Sequence, residues 1–280
     1  MVSSFIKKGE QKMKKIISVL LAAMLVFAFA ACGETENVAD TTVETTEEVV
    51  DTTAADTTEA VVDTTAVETT ADEAVEAPAV MSYAEYAAAE LDTAVTVEAY
   101  VQGHQSWWDN KITVYAQDAD GAYFIYEMAC SEEDAAKLVA GTRILVSGYK
   151  AEWAGEVEIV DATFEFVTDG ESFVAEAMDA TALLGTEDLI AHQNKLVAFK
   201  GMTVEAVEFK NGEAGDDIYV TLSKDGASYN FCVEVYLTGT DTEVYTTVSA
   251  LTAGTVVDVE GFLYWYEGMN PHITAITVAQ

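Results

Sequence analysis

Positive charge is scarce in this chain. Of 280 residues 13 are Lys or Arg, against 49 Asp or Glu, for a formal net charge of −36. Phosphate binding draws its affinity from Lys and Arg that displace counterions, and non-specific single-strand binders line their grooves with positive charge. Nucleic acid is therefore disfavoured as a partner, with Lys111 and Lys150 as a small local exception. Histidine and cysteine are also few, at three each. His104, His192 and His272 stand at no ligand spacing, and the acidic turns Asp118–Gly121 and Glu213–Asp217 lack the spaced oxygen set of a dedicated calcium loop. Turn chemistry accounts for both turns. Without a nucleophile elbow, a phosphate-cradling glycine loop or a paired-cysteine motif, no enzyme, metal or cofactor is expected.

Between Gly33 and Val80 the chain has no Lys, no Arg and no aromatic residue, but 14 acidic ones. Such a segment cannot build a core. Near-repeats such as Asp51-Thr52-Thr53 and Asp56-Thr57-Thr58 mark low complexity, and uniform charge keeps the segment extended. Its reach is roughly 40 Å, more if charge stretches it.

Before it stand Lys12, Lys14 and Lys15, the apolar run Ile16–Ala31, and Cys32. A basic region, an apolar region and small residues ahead of a cysteine are the layout of a cleavable export signal. The run is shorter than the roughly 18–20 residues that a spanning helix needs. Phe29-Ala30-Ala31-Cys32-Gly33 resembles the bacterial lipoprotein lipobox, with Phe29 in place of the usual aliphatic residue. The resemblance implies lipidation of Cys32, removal of residues 1–31, and anchoring on the extracytoplasmic side of a cell membrane by the two acyl chains that stable attachment requires. Met13 is an alternative start.

From Met81 onward aromatics and alternating patterns take over. Residues 81–280 carry 34 acidic against 8 basic side chains, a net −26. A self-comparison divides this region in two. Leu138–Gly148 aligns without gaps to Leu251–Gly261, Gly155 and Gly268 each follow seven residues later, and Asp120-Gly121-Ala122 matches Asp225-Gly226-Ala227. The expected organisation is a signal peptide (1–31), an acidic linker (32–80), and domains at 81–170 and 171–280.

In the first copy Ser82 with Glu85 predicts a capping box and a helix over Tyr83–Leu91. Alternation predicts strands at Ala94–Val101, Lys111–Gln117 and Ala122–Met128. Ser131 starts a helix that Gly141 stops, and strands Arg143–Gly148 and Glu156–Val167 follow. The second copy repeats the order with strands Lys195–Phe209, Asp217–Ser223 and Ser228–Tyr236, a helix near Thr242–Leu251, and strands Thr255–Trp265 and His272–Val278. Three strands, a helix and two strands, with a glycine bending the fourth, resemble the OB-fold, a five-stranded Greek-key barrel. The expected fold class is all-β with short helices, two tandem barrels of this kind. Gln105–Lys111, Ala129–Asp134 and Val157–Ala162 resemble segments of tandem OB-fold lipoproteins of anaerobic gut bacteria. That resemblance implies architecture and location, and no activity.

OB-folds that bind ligands use the face of strands two and three, framed by the loops joining strands one to two and four to five. Carried onto this chain, the resemblance implies a ligand surface at Trp107, Trp108, Tyr115, Tyr123, Trp153, Tyr264, Trp265 and Tyr266, with Tyr219 and Tyr229 also in the second copy. Filling of the barrels, or of the contact between them, is the competing account for half of these. Trp107 and Trp108, beside Asp109 and Asn110, stand out as a loop pair. The expected function is a surface-anchored, non-catalytic binding module for an extracytoplasmic protein or glycan. A structural or adaptor lipoprotein is the alternative, and an oligonucleotide binder the next; the oligomeric state stays open. Cys130 and Cys232, in different copies, are expected apart and reduced, a bridge between the copies being the other option for an exported chain.

Overall fold

A computed structural model describes residues 79–279. Cys32, the expected export signal and the acidic segment as far as residue 78 lie outside the described residues. No helix among the described residues is long and apolar enough to cross a membrane.

The first barrel follows a short helix α1 (Tyr83–Ala88) and consists of β1 (Ala94–His104), β2 (Lys111–Gln117), β3 (Ala122–Ala129), the single turn α2 (Glu132–Ala135), β4 (Arg143–Trp153) and β5 (Glu156–Phe166). Its strands close in the order β1-β2-β3-β5-β4, and β3 meets β5 in parallel. After β6 (Met178–Asp179) the second barrel repeats the plan with β7 (Leu196–Phe209), β8 (Ile218–Lys224), β9 (Ala227–Val233), turns α3 (Val235–Thr238) and α4 (Glu243–Ser249), β10 (Val256–Phe262) and β11 (His272–Val278). The β10–β7 pairing closes it, and β9 meets β11 in parallel. This strand order is that of the OB-fold in both copies.

Alternation along the strands fills each barrel. Ile112, Val114, Ala116, Ile125, Ile144 and Ile159 pack inside the first, and Val197, Phe199, Val220, Leu222, Phe231 and Val257 inside the second. The repeat is visible in single hydrogen bonds. Gly141 N–H donates to Val101 O and Val101 N–H to Thr142 O (2.8 and 2.9 Å); Gly254 and Val204 make the same pair with Val204 O and Thr255 O (2.8 and 2.8 Å). Gly148 and Gly261 let the fifth strand cross the fourth: a Cβ would sit 2.7 Å from Val160 O at the first and 2.0 Å from His272 O at the second.

Several boundaries differ from expectation. Helix α1 keeps its capping box but ends at Ala88 rather than Leu91, where the buried Lys150 ammonium takes the carbonyls of Tyr86, Ala87 and Ala89 at 3.0, 2.9 and 2.8 Å. A lysine cap of this kind satisfies the carbonyls that the last turn leaves bare. The helix expected between Ser131 and Gly141 is one turn, capped by Ser131 Oγ on Asp134 N–H. Strand β9 stops at Val233, not Tyr236, because Asp217 Oδ1 captures Val235 N–H and the chain turns into α3. Strand β10 ends at Phe262 rather than Trp265.

The two strand-two turns also differ. Gln117 pairs with Ala122 across a four-residue loop in which Asp118 Oδ1 accepts from Asp120 and Gly121 N–H, whereas Lys224 pairs with Ala227 across two residues with φ of 52° and 84°. The sequence match at these turns therefore does not superpose side-chain facing: Tyr123 points inward, while Ser228 pairs with Ser223 on the outside.

Cys130 and Cys232 are buried and unbridged. Burial pushes both thiols above the ordinary range.

Candidate functional site

The β1–β2 connection is built as a hairpin tip. Trp108 and Lys111 exchange both backbone hydrogen bonds (3.0 and 2.9 Å), and Asp109 and Asn110 between them have φ of 47° and 60°. Two consecutive left-handed residues suit the two-residue turns that match strand twist, and Asn and Asp tolerate that region. The pairing sends the two tryptophans opposite ways. Trp107 folds back, packs on the first core and donates its indole N–H to Cys130 O at 2.8 Å, while Trp108 stands out, 80% exposed.

On the outer face of strands β2 and β3, Tyr115 lies opposite Phe124. Both are buried, because the second barrel sits on them. Tyr115 stacks on Phe262 with ring centroids 4.2 Å apart and planes 5° from parallel, and Phe124 meets Tyr264 at 5.3 Å. The seam also carries a polar chain. Tyr115 Oη lies 2.8 Å from His272 Nδ1, Glu234 Oε2 lies 3.3 Å from the same nitrogen, and Gln105 donates to both Glu234 oxygens at 2.8 and 3.0 Å. Ser106 N–H donates to Tyr236 O at 2.6 Å. Tyr264 stacks on His272 at 4.4 Å.

What the second barrel leaves open is a groove of ≈ 360 Å³. Its walls are Trp107, Trp108 and Tyr126 from the first barrel and Tyr236 from α3 of the second. Tyr126 is 42% and Tyr236 63% exposed. Lys111 and Glu127 face each other at 2.7 Å on one side. Their hydrogen bond raises the Lys111 ammonium and lowers the Glu127 carboxyl relative to ordinary values, so both stay charged.

The remaining expected site residues divide. Tyr115 and Tyr123 were placed on the ligand surface by the resemblance; the structure corrects both. Tyr115 is closed under the second barrel, and Tyr123 fills the first core, its hydroxyl donating to Asp118 at 3.1 Å. Trp265 packs against the second core, and its backbone N–H donates to buried Glu156 at 2.8 Å; Tyr264 is half-buried in the seam. Tyr219 is exposed, and Tyr229 packs on the second core. Trp153 and Tyr266 stay half-exposed and meet each other, rings 5.2 Å apart, where the β4–β5 hairpin touches its repeat counterpart through Glu267 N–H to Ala154 O (2.7 Å).

Tyr126 and Tyr236 were missed. Tyr126 was recoverable, since it continues the outward set of Phe124 by two residues. Tyr236 was not, because it is expected as the last residue of a strand. Among the described residues no group of His, Cys, Asp or Glu is placed to hold a metal ion.

No protein-family model matches the chain, and no curated protein is significantly similar to it. Among solved structures, asparaginyl-tRNA synthetase from Pyrococcus horikoshii, complexed with asparaginyl-adenylate, is similar at 20% identity over 31% of this chain and 19% of that one, with a TM-score of 0.24. A murine DNA-binding protein bound to double-stranded DNA is similar at 9% identity over 66% and 95%, TM-score 0.34. A replication protein A heterotrimer bound to single-stranded DNA gives 14% over 67% and 49%, TM-score 0.29. The chain spans about a fifth of the length of two of the solved structures it matches, both aminoacyl-tRNA synthetases (19% and 21%). At these identities and scores the ligands of those proteins do not transfer to this chain.

Proposed function

We propose that the tandem barrels are a non-catalytic binding module for an extracytoplasmic protein or glycan, held at the outer side of a cell membrane by lipid on Cys32. The observation that carries the binding reading is Trp108, 80% exposed beside Tyr126 and Tyr236 in a concave groove on the half of the strand-two and strand-three face that the second barrel leaves open. Exposed aromatics in a concave site are the residues that dominate recognition energy. The buried aromatic seam favours a second reading, an adaptor whose barrels simply brace one another. Oligonucleotide binding is disfavoured by the net −26 of residues 81–280 and by a groove whose one lysine is paired to Glu127.

Titration of the whole protein with a panel of oligosaccharides, extracellular proteins and single-stranded DNA, followed by tryptophan emission, is the test. Trp108→Ala is expected to weaken the productive interaction about 10-fold or more, with the thermal midpoint unchanged because the side chain is exposed. Trp153→Ala is expected to leave binding intact. A Trp108→Ala protein that binds every active ligand as before would sink the groove reading. For the anchor, Cys32→Ser is expected to move the protein from the membrane fraction to the medium; retention in the membrane would refute it.

A further inference from the structure

We infer that the seam groove takes a cationic side chain, an arginine or lysine presented on the surface of a basic partner protein. This rests on the reading of the groove as a binding site and names what enters it. Three side-chain donors along the groove are already engaged within the protein. The Gln105 amide donates to Glu234, the Ser106 hydroxyl to Tyr236 O, and Lys111 to Glu127, while Thr113 Oγ1 accepts from Glu127 N–H. A sugar, rich in hydroxyl groups, would have to displace those bonds to use these groups, and desolvated hydroxyls left unpaired cost affinity.

The aromatic faces of Trp108, Tyr126 and Tyr236 are the free recognition elements. Such faces attract Arg and Lys through the ring quadrupole. The surrounding charge points the same way: 34 acidic against 8 basic residues over 81–280 make a field that concentrates cations and repels polyanions. Trp108 and Tyr236 are too exposed, at 80% and 63%, for a small free amine to cover them. A protein surface around the inserted side chain would exclude water from both, as the rim of an interface does.

The test uses the full chain, an arginine-glycine repeat peptide, the same peptide with citrulline for arginine, and chitohexaose, at low and physiological salt. The arginine peptide is expected to shift tryptophan emission, and citrulline, isosteric but neutral, to bind about 10-fold more weakly. Trp108→Ala and Tyr236→Ala keep the net charge and are each expected to weaken the arginine peptide about 3- to 30-fold. Two variants from different barrels guard against a local fold defect, which thermal midpoints would reveal. Equal affinity for the citrulline peptide overturns the cation inference and leaves the groove standing. So does chitohexaose binding that depends on Trp108 when the arginine peptide does not bind. Arginine-peptide binding unchanged in both variants, or no response to any probe, overturns the groove reading as well.

Discussion

Tyr115→Ala is expected to lower stability by about 3–5 kcal/mol, the cost of deleting a buried aromatic, and to split thermal unfolding into two transitions. The side chain is fully buried although it points out of its own barrel, stacked 4.2 Å from Phe262 and 2.8 Å from His272 Nδ1 through its hydroxyl. Its loss opens a cavity between the barrels rather than within one, so each barrel keeps its core while their contact fails. Tyr115→Phe keeps the stack and removes only the hydroxyl, at about 1–2 kcal/mol, with a single transition retained. Calorimetry and urea titration of both variants check the pair. A Tyr115→Ala protein that unfolds in one step near the wild-type midpoint would mean that the barrels are not joined through this face.

The second large effect is a pH dependence set by Glu156. This carboxyl is fully buried beside the seam, accepting from Trp265 N–H and from Gln193 at 2.8 and 3.2 Å, while Oε1 has no partner among the described residues. Burial pushes it up from 4.5 to about 8, with neighbouring Glu158 adding to the shift, and the nearby Asn194 amide and the hydrogen bonds from Trp265 and Gln193 opposing it. The other titratable groups within electrostatic reach are Tyr86, Tyr115 and Tyr264, whose hydroxyls burial also raises, so they stay neutral across this range.

The sign follows from which state holds the proton. Below the unfolded value both states are protonated and Glu156 adds no pH-dependent cost. Between 4.5 and about 8 the folded protein keeps a proton that the unfolded chain has lost, so stability falls as pH rises. Above about 8 the loss is complete, on the order of 5 kcal/mol. Glu156→Gln retains an acceptor for Trp265 N–H without an ionising group. It is expected to be more stable than the wild type at and above neutral pH and to converge with it at low pH. Urea midpoints across the range check this, and parallel curves for the two proteins would contradict it.

Much of the barrel plan was legible because it rests on local chemistry. The alternation Ile112, Val114, Ala116 marked one face of β2, and a glycine in each copy marked a bend in the fourth strand, where the structure brings the fifth strand closest. The Ser82–Glu85 capping box announced α1, but the end of that helix depends on Lys150, 61 to 64 positions away from the carbonyls it caps. No local pattern contains that information.

The candidate site was half legible for the same reason. Trp107 and Trp108 stood out as a loop pair beside Asp109 and Asn110, but the hairpin that sends them opposite ways was not legible. Whether an outward aromatic meets solvent or a second barrel is a tertiary fact, and Tyr115 and Tyr126, both outward on adjacent strands, have opposite fates. Tyr123 failed for a subtler reason. The four-residue turn pairs Ala116 with Tyr123, so the tyrosine shares the inward side, whereas the OB-fold resemblance names the face of strands two and three without fixing the register. Tyr236 depended on the break after Val233, which Asp217 imposes from the loop just before β8.

The division of the strand-two and strand-three face is tested most directly by hydroxyl-radical footprinting of the intact protein, read by mass spectrometry at single residues. Trp108, Tyr126 and Tyr236 are expected to be oxidised rapidly, while Tyr115, Phe124 and Phe262 stay protected until the protein unfolds. Oxidation of Tyr115 and Phe124 at the rate of Tyr126 would contradict it, since the second barrel would then not cover the face and the groove at its edge would not exist.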